Sequence, residues 1–148
     1  MIPQVNRDDK KILKNIICYA LDMDGTIYLG EKWIDGAKEF LKAVENAGKK
    51  YMFLTNNSSK NPQAYVEKLG RMGLKISEEK IVTSGQAAIS YLKRNFPEKK
   101  VFLLGNELLK AEFEEEGIAL RDRNAQVVVV GFDTTLNYEK MCMVCDLV

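Results

Sequence analysis

A chain of 148 residues has room for one ordinary domain, or for one small domain and part of a second. Hydrophobic residues make up 46% of the chain and charged residues 29%, a globular balance that excludes a disordered chain. The 22 basic and 21 acidic residues are interspersed and give a net charge of +1, so nucleic-acid binding has no support. The chain contains no histidine, which excludes a Ser-His-Asp triad and every histidine-containing metal site.

Targeting signals and cysteine usage point to the cytoplasm. No apolar stretch approaches the length that crosses a bilayer, and the polar segment 1–14 lacks the apolar centre of a secretory signal. Three cysteines cannot all pair with one another, so reduced thiols are expected. The sequence therefore predicts a folded cytoplasmic protein without a membrane partner.

Apolar runs and helical patterns alternate along the chain. The first apolar run, Ile16–Ala20, predicts a strand that is covered on both faces, which would bury the acids at its end. A short loop through Trp33 then leads to a helix that Asp35 caps and Gly48 ends. The second predicted strand covers residues 51–54, and small polar side chains follow it.

The next helix begins at Asn61-Pro62, a cap followed by proline, and ends near Gly70 or Gly73. A short third strand is predicted at residues 81–83, with a helix from Ser84. The connection around Pro97 suggests a domain boundary, which divides the chain into residues 1–96 and 97–148.

A second alternation follows that boundary. It predicts a strand at residues 101–104, a helix over about 106–116 that Gly117 ends, and a buried strand at 127–130. Residues 136–148 have a helical pattern without a stop signal, so the chain is expected to end inside an element. Alternating strands and helices imply right-handed crossovers and a mainly parallel sheet in an α/β fold.

Polar side chains follow the predicted strands at their carboxyl ends, where open α/β sheets bind ligands. The residues expected to converge there are Asp22, Asp24, Thr55, Asn56 and Ser84. Two carboxylates beside hydroxyl and amide groups suit a phosphate together with Mg²⁺. A turn-capping role for the two acids is the alternative, since Asp-Gly is a common turn sequence.

The same residues suggest a reaction. Attack by Asp22 on phosphorus would give an aspartyl-phosphate, while Asp24 would protonate the leaving group and then deprotonate water. The Thr55 hydroxyl and neighbouring amides would hold the non-bridging oxygens. These roles together describe a phosphomonoesterase.

Two other motifs are interpreted as structural. The pair Cys142 and Cys145 has redox or metal spacing, but it falls inside a predicted helix and only Cys18 remains as a further ligand. The pair is therefore predicted to be two small core residues. The acidic run 112–116 is predicted to be a solvated helix face.

The motifs resemble those of the haloacid dehalogenase superfamily. Asp22–Thr26 matches its first motif, D-x-D-G-T after a strand, and Thr55 matches the second, a Thr or Ser after a strand. The second acid is typical of the phosphatases in that superfamily. A longer match is similar to subfamily IIA, which includes 4-nitrophenylphosphatase-like and NagD-type phosphatases, and it covers Asp22–Gly30, Ile34–Ala37 and Leu54–Ser58.

The resemblance implies a Rossmann-like parallel-sheet core, incomplete in this chain, followed by the start of a C2-type α/β cap. It also implies that Asp22 is the nucleophile, Asp24 the general acid and base, and Thr55 and Asn56 phosphate ligands. Asn57 would contact the substrate. Mg²⁺ would bind to Asp22 and to the main-chain carbonyl of Asp24.

The family also needs a lysine and a pair of acids after the cap, and the chain ends before them. The resemblance thus implies an N-terminal portion, inactive alone, of a Mg²⁺-dependent hydrolase of a small phosphorylated metabolite. Loss of neighbouring core strands would leave the first strand as an exposed edge, which predicts self-association or a homo-oligomer. The alternatives are a catalytically dead phosphate-binding or oligomerising module and a phospho-accepting switch domain. Asp24 argues against the switch, because it would activate water and shorten the life of an acyl phosphate.

Overall fold

The structure is a computed structural model that describes residues 7–148, with side chains from residue 11 onward. The first six residues of the polar segment 1–14 lie outside the described residues. The chain divides into two compact units, Met1–Phe53 and Leu54–Val148. Pro97 lies within the second unit, and the predicted boundary there stays a prediction.

Within residues 7–53, the first unit contains two helices and strands of two small sheets. Its elements are α1 (Arg7–Asn15), β1 (Cys18–Asp22), β2 (Tyr28–Leu29), β3 (Lys32–Trp33), α2 (Ala37–Asn46) and the start of β4 (Lys50–Thr55). Strand β1 is next to β4 and stands at one end of the strand order. Strands β2 and β3 form an antiparallel hairpin where the sequence predicted only a loop. Its turn is Gly30-Glu31, and the φ of 61° at Gly30 suits a tight two-residue connection.

Strand β1 is more exposed than the sequence predicted. Cys18, Ala20 and Asp22 are exposed, and the alternating residues Tyr19 and Leu21 are half-buried. The prediction of a strand covered on both faces is therefore wrong. The position of β1 at the end of the strand order explains the exposure and agrees with the predicted edge strand.

Helix α2 begins one residue later than predicted. Its N-cap is Gly36, in a left-handed conformation with φ of 84° and no side-chain cap, so the prediction of Asp35 as the cap is wrong. The carbonyl of Gly36 already accepts the first helical bond, from the Phe40 N–H at 2.9 Å. The predicted end at Gly48 is confirmed, because Gly48 has φ of 67° and its N–H donates to the Glu45 carbonyl at 2.9 Å.

A single lysine caps the end of α1. The Lys49 ammonium donates to the carbonyls of Leu13, Lys14 and Ile16 at 2.8, 3.0 and 2.5 Å. The last carbonyls of a helix have no partner within the helix, and an ammonium with three donors can satisfy several of them. Lys49, the residue before β4, thus bonds to the end of α1.

The second unit begins with the last two residues of β4 and alternates strands with helices. Its further elements are α3 (Pro62–Arg71), a 3-10 turn (Glu78–Lys80), β5 (Ile81–Thr83), α4 (Ser84–Asn95), β6 (Val101–Leu104), α5 (Glu107–Glu115), β7 (Val127–Val130) and α6 (Tyr138–Leu147). Strand β5 is next to β4 in its sheet, and β6 pairs with β7 in parallel, Val101 opposite Val127. The predicted cap-then-proline start of α3 is confirmed, since the Asn61 side chain accepts from the Ala64 N–H at 3.0 Å.

One hydrophobic core cluster of the second unit lies between α4, α5 and β6. Its buried side chains are Ile89, Leu92, Val101, Leu109 and Phe113. The predicted strand β7 is present, but three of its residues are only half-buried and Val130 is 63% exposed, so the prediction of a buried strand is wrong. A strand at one end of a two-stranded sheet has one side left open, which accounts for this exposure.

Helix α6 carries the two clustered cysteines. Cys142 is half-buried and Cys145 exposed, and all three thiols of the chain are free. The predicted place within a helix is confirmed, but the prediction that both are core residues is wrong, because α6 has no buried residue. Among residues 7–148, no helix is both long and apolar enough to cross a membrane.

Candidate active site

The D-x-D-G-T segment forms a tight turn directly after β1. The Met23 carbonyl accepts from the N–H groups of Thr26, Ile27 and Tyr28 at 3.2, 2.9 and 3.2 Å. The Gly25 N–H donates to the Tyr28 carbonyl at 2.8 Å, and the φ of 82° at Gly25 is one that only glycine adopts readily. Main-chain hydrogen bonds within the six residues Met23–Tyr28 therefore set the shape of this turn.

The turn exposes both acids. Met23 is fully buried, while Asp22 and Asp24 on either side of it are exposed. The Thr26 hydroxyl donates to Asp22 Oδ2 at 3.3 Å. The expectation of two acids buried at a strand end is wrong, because β1 leaves them in water, where an ionised carboxylate carries no desolvation cost.

The acids suit Mg²⁺ in chemistry and number. Within residues 7–148, no group of three His, Cys, Asp or Glu side chains is placed to enclose a metal ion. Mg²⁺ does not need such a cage, because it binds through one or two carboxylates and keeps several waters. The exposed carboxylate of Asp22 fits that requirement, and the main-chain carbonyl of Asp24 is a second oxygen of the kind that Mg²⁺ binds.

The second motif forms a compact loop, Thr55–Ser59, at the end of β4. Thr55 is 7% exposed, and its hydroxyl accepts from the Asn57 N–H at 3.2 Å. The same hydroxyl lies 3.5 Å from the Tyr65 hydroxyl, which also donates to the Asn57 carbonyl at 3.5 Å. Tyr65 belongs to α3, and its place beside the second motif fits the need of a buried tyrosine hydroxyl for a polar partner.

Asn56 and Asn57 differ in how the loop uses them. Asn56 is exposed, and its carbonyl accepts from the Ser84 hydroxyl at 3.0 Å. The expectation that Ser84 lies beside the second motif is therefore confirmed. The Asn57 side-chain oxygen accepts from the N–H and the hydroxyl of Ser59 at 2.9 and 2.7 Å, which folds the loop back on itself.

Two buried serines bind the loop to distant parts of the second unit. The Ser58 hydroxyl accepts from the Phe132 N–H at 2.7 Å, and the Ser59 carbonyl accepts from the Asn106 side-chain amide at 2.8 Å. Gly131 permits this approach, since a Cβ there would lie 3.0 Å from the Ser58 hydroxyl oxygen. The sequence reasoning missed these partners. The run of small polar residues signals that partners exist, but not which residues they are.

A partly buried ion pair follows β7. The Asp133 side chain is 1% exposed and accepts from the Lys140 ammonium at 2.7 Å and from the Thr135 N–H and hydroxyl, both at 2.7 Å. Burial by itself would raise the pKa of Asp133, but the hydrogen bonds from Lys140 and Thr135 hold it below its ordinary value. This cluster keeps Asp133 ionised one residue after Phe132.

The predicted site residues fall into the two units. Asp22 and Asp24 lie on one turn of the first unit, and Thr55, Asn56 and Asn57 lie on one loop of the second. Within each unit the predicted residues are neighbours. Convergence of both sets at one sheet edge stays a prediction from the parallel arrangement of strands.

Comparison with known proteins places these motifs in a family. Residues 19–119 match the sequence model of the family described as "Haloacid dehalogenase-like hydrolase". The acid sugar phosphatase of Staphylococcus aureus strain USA300 is 35% identical over 132 residues, which are 88% of this chain and 51% of the relative.

Solved structures of two phosphatases are also similar to this chain. The 4-nitrophenylphosphatase from Thermotoga maritima matches with a TM-score of 0.86 and 40% identity over 92% of this chain and 52% of that one. The p-nitrophenyl phosphatase from Archaeoglobus fulgidus matches with a TM-score of 0.79 and 30% identity over 88% and 51%. The chain thus spans about half the length of these relatives. Since both motifs lie within the matched residues 19–119, this chain belongs to the haloacid dehalogenase-like hydrolases and has their α/β fold.

Proposed function

We propose that this chain is part of a Mg²⁺-dependent phosphomonoesterase that works through an aspartyl-phosphate on Asp22. The observation that carries the proposal is the pair of exposed carboxylates, Asp22 and Asp24, on a main-chain turn directly after a strand. The phosphatase names of the relatives support it. The substrate class that we propose is a small phosphorylated metabolite.

In the proposed reaction a carboxylate oxygen of Asp22 forms a bond to phosphorus, and the bond from phosphorus to the ester oxygen breaks. Asp24, protonated at this stage, gives its proton to the leaving oxygen. Asp24 then removes a proton from a water molecule, whose oxygen attacks phosphorus. The bond to Asp22 breaks, which restores its carboxylate and releases inorganic phosphate.

Asp22 and Asp24 are the residues that we propose to hold Mg²⁺, Asp24 through its main-chain carbonyl. When bound, the ion would reduce the repulsion between the carboxylates and the phosphate and polarise a phosphoryl oxygen. Thr55 and Asn56 are proposed to bind the phosphate oxygens, and Asn57 to contact the rest of the substrate. The Thr26 hydroxyl, at 3.3 Å from Asp22 Oδ2, would orient the nucleophile.

Two further parts of the proposal concern the surroundings of the protein. The three free thiols fit a reducing compartment, so we propose the cytoplasm as its location. We also propose self-association through the exposed edge of β1, since an unpaired strand edge can pair with another chain.

The test measures binding and turnover separately, because the chain spans about half the length of its relatives and turnover by it alone is expected to be slow or absent. Inorganic phosphate is titrated into the chain with Mg²⁺ and with a chelator, and phosphate release from 4-nitrophenyl phosphate is followed in parallel. The variants are Asp22→Asn and, as a matched control, Asp35→Asn, an exposed acid of the same unit.

We expect phosphate binding that the chelator abolishes, and any turnover to disappear in Asp22→Asn but not in Asp35→Asn. Binding that is insensitive to the chelator and retained in Asp22→Asn would favour a simple anion-binding module. Turnover that survives Asp22→Asn would contradict an intermediate on that residue.

A further inference from the structure

We propose that Asn106 is a positioning residue that holds the loop Thr55–Ser59 in its phosphate-binding conformation. The inference rests on the proposed function, because it takes this loop to be the phosphate ligand. Asn106 lies 47 residues from its partner in the loop, in the connection between β6 and α5.

Asn106 uses both ends of its side-chain amide. Its oxygen accepts from the Leu109 N–H at 3.0 Å and so caps α5, while its nitrogen donates to the Ser59 carbonyl at 2.8 Å. The residue is only 9% exposed. Asn61 and Asn137 cap α3 and α6 in the same way, but in the described part of the chain neither amide nitrogen bonds to the loop. Asn106 is thus a helix cap with a second partner.

The bond to Ser59 reaches Thr55 through a series of loop contacts. Ser59 donates twice to the Asn57 side-chain oxygen, at 2.9 and 2.7 Å, and the Asn57 N–H donates to the Thr55 hydroxyl at 3.2 Å. Each member of the series has its orientation limited by the next. Fixing the Ser59 carbonyl therefore restricts the Thr55 hydroxyl, which is a proposed phosphate ligand.

A second bond restrains the same loop from a neighbouring strand. Phe132 follows β7 as Asn106 follows β6, and β6 and β7 are parallel, so both restraints come from the carboxyl ends of adjacent strands. The Phe132 N–H donates to the Ser58 hydroxyl at 2.7 Å. Two rigid attachment points on successive residues leave the loop little freedom.

A loop that is already ordered before phosphate binds loses little conformational freedom on binding. Its affinity for phosphate is therefore higher than that of a mobile loop. Asn106 itself is not proposed to bind the phosphate. Replacing Asn106 should therefore disorder the loop and weaken phosphate binding. Helix α5 keeps its cap if the new side chain carries an oxygen that accepts from the Leu109 N–H.

The test compares Asn106→Asp with Asn137→Asp. Aspartate is as good an N-cap as asparagine, so both helices remain capped, but Asn106→Asp removes the amide donor and places a carboxylate against the Ser59 carbonyl. Asn106→Ser with Asn137→Ser is a second pair, because serine also caps a helix and is too short to bridge to Ser59. Circular dichroism verifies folding of each variant.

Two quantities are measured on the 148-residue chain. Amide hydrogen exchange by NMR follows the N–H groups of Asn57 and Ser59, and a titration with Mg²⁺ present gives the Kd of inorganic phosphate. We expect exchange at both amides to become roughly tenfold faster and phosphate binding roughly tenfold weaker in the Asn106 variants, as loss of one hydrogen bond allows. The Asn137 variants should change neither quantity.

Exchange that is no faster in the Asn106 variants than in the Asn137 variants would overturn the positioning role and leave the proposed function intact. Faster exchange with an unchanged phosphate Kd would overturn the link between loop order and binding. Absence of phosphate binding in the unsubstituted chain would instead overturn the proposed function, while hydrogen exchange would still show whether Asn106 holds the loop.

Discussion

The turn Met23–Tyr28 and the loop Thr55–Ser59 carry the two family motifs, but they keep their shapes by different means. Hydrogen bonds within six residues shape the turn, whereas the loop depends on partners 47 and 74 residues away in sequence. The turn presents exposed carboxylates, and the loop holds buried hydroxyls. Ionised groups are costly to bury unless they are paired, as Asp133 is with Lys140, while neutral polar groups can be buried where every one finds a hydrogen-bond partner.

Residues close together in sequence are enough to shape the turn, but they are not enough to shape the loop. Substitutions far from the turn should leave it unchanged. Substitutions in the core of the second unit should loosen the loop, because its attachment points rest on that core.

The largest effect is expected from Leu109→Ala. Leu109 is buried in the core of the second unit, and its methyl groups fill the space beside Gly85, Gly105 and Gly131. Its truncation should lower the free energy of unfolding by about 2–5 kcal/mol. Chemical denaturation measures this loss, and hydrogen exchange should become faster at Asn57 and Ser59 but not at Thr26.

Leu108→Ala is the matched control for that experiment, since Leu108 is the neighbouring residue of α5 and is 48% exposed. Its cost should stay below about 1 kcal/mol, as for most surface substitutions. Equal acceleration of exchange in the turn and in the loop would show that the two motifs are not supported separately.

Asp133→Asn should have the next largest effect, and it shows what a buried acid requires. Removing the charge while Lys140 stays should cost about 1–3 kcal/mol of stability in the second unit. Asp146→Asn, on the exposed face of α6, is the control and should be nearly neutral. A cost for Asp133→Asn no larger than that of the control would contradict a stabilising pair.

The same carboxyl predicts a pH dependence. The bonds from Lys140 and Thr135 hold the pKa of Asp133 below its ordinary 3.8, so the unfolded chain binds the proton more readily than the folded one. The stabilisation is thus present above about pH 4 and is lost as the pH falls through the lower pKa of the folded state. Denaturation of the unsubstituted chain and of Asp133→Asn from pH 6 to 3 should show their stabilities approaching each other in acid.

A smaller effect is expected from Thr26→Val in the turn. The variant loses the hydroxyl bond to Asp22, but the main-chain bonds that shape the turn remain. Stability should change by about 0.5 kcal/mol or less, and Mg²⁺-dependent phosphate binding should weaken about two- to fivefold. Thr26→Ser keeps the hydroxyl and should bind normally. Collapse of the turn in Thr26→Val would show that the side chain, not the main chain, shapes it.

The smallest change in stability is expected from Ala20→Lys on the exposed side of β1. A lysine on an edge strand opposes pairing with another chain, so the proposed self-association should decrease while stability changes by less than about 0.5 kcal/mol. Light scattering over a range of protein concentrations measures the association. Identical association by the variant and the unsubstituted chain would place the contact elsewhere.

Signals within a few residues predicted much of the secondary structure. Asn61-Pro62 begins a helix as expected, because the cap and the proline act only on their own first turn. Gly48 ends α2 through its own left-handed conformation, which is likewise a local effect. Asp35 was wrongly predicted as a cap, since the adjacent Gly36 takes a left-handed conformation that its local sequence permits but does not require.

Burial was less predictable than secondary structure. The apolar run before Asp22 correctly indicated a strand, yet the strand is partly exposed because it stands at the end of its sheet. For β7, too, the strand was predicted correctly but its burial was not. The spacing of apolar residues indicates which side chains a segment can bury, but the neighbouring elements decide whether those side chains are buried.

The sequence by itself determined the alternation of the main strands and helices, the turn at the D-x-D-G-T segment and the polar character of the second motif, because each depends on signals between near neighbours in the chain. Only the tertiary structure decided that Tyr65, Asn106 and Phe132 hold the loop Thr55–Ser59 in place. Those partners are set by which strand ends and helix faces the packed core brings together, and a linear pattern of residue types does not encode distances between remote positions.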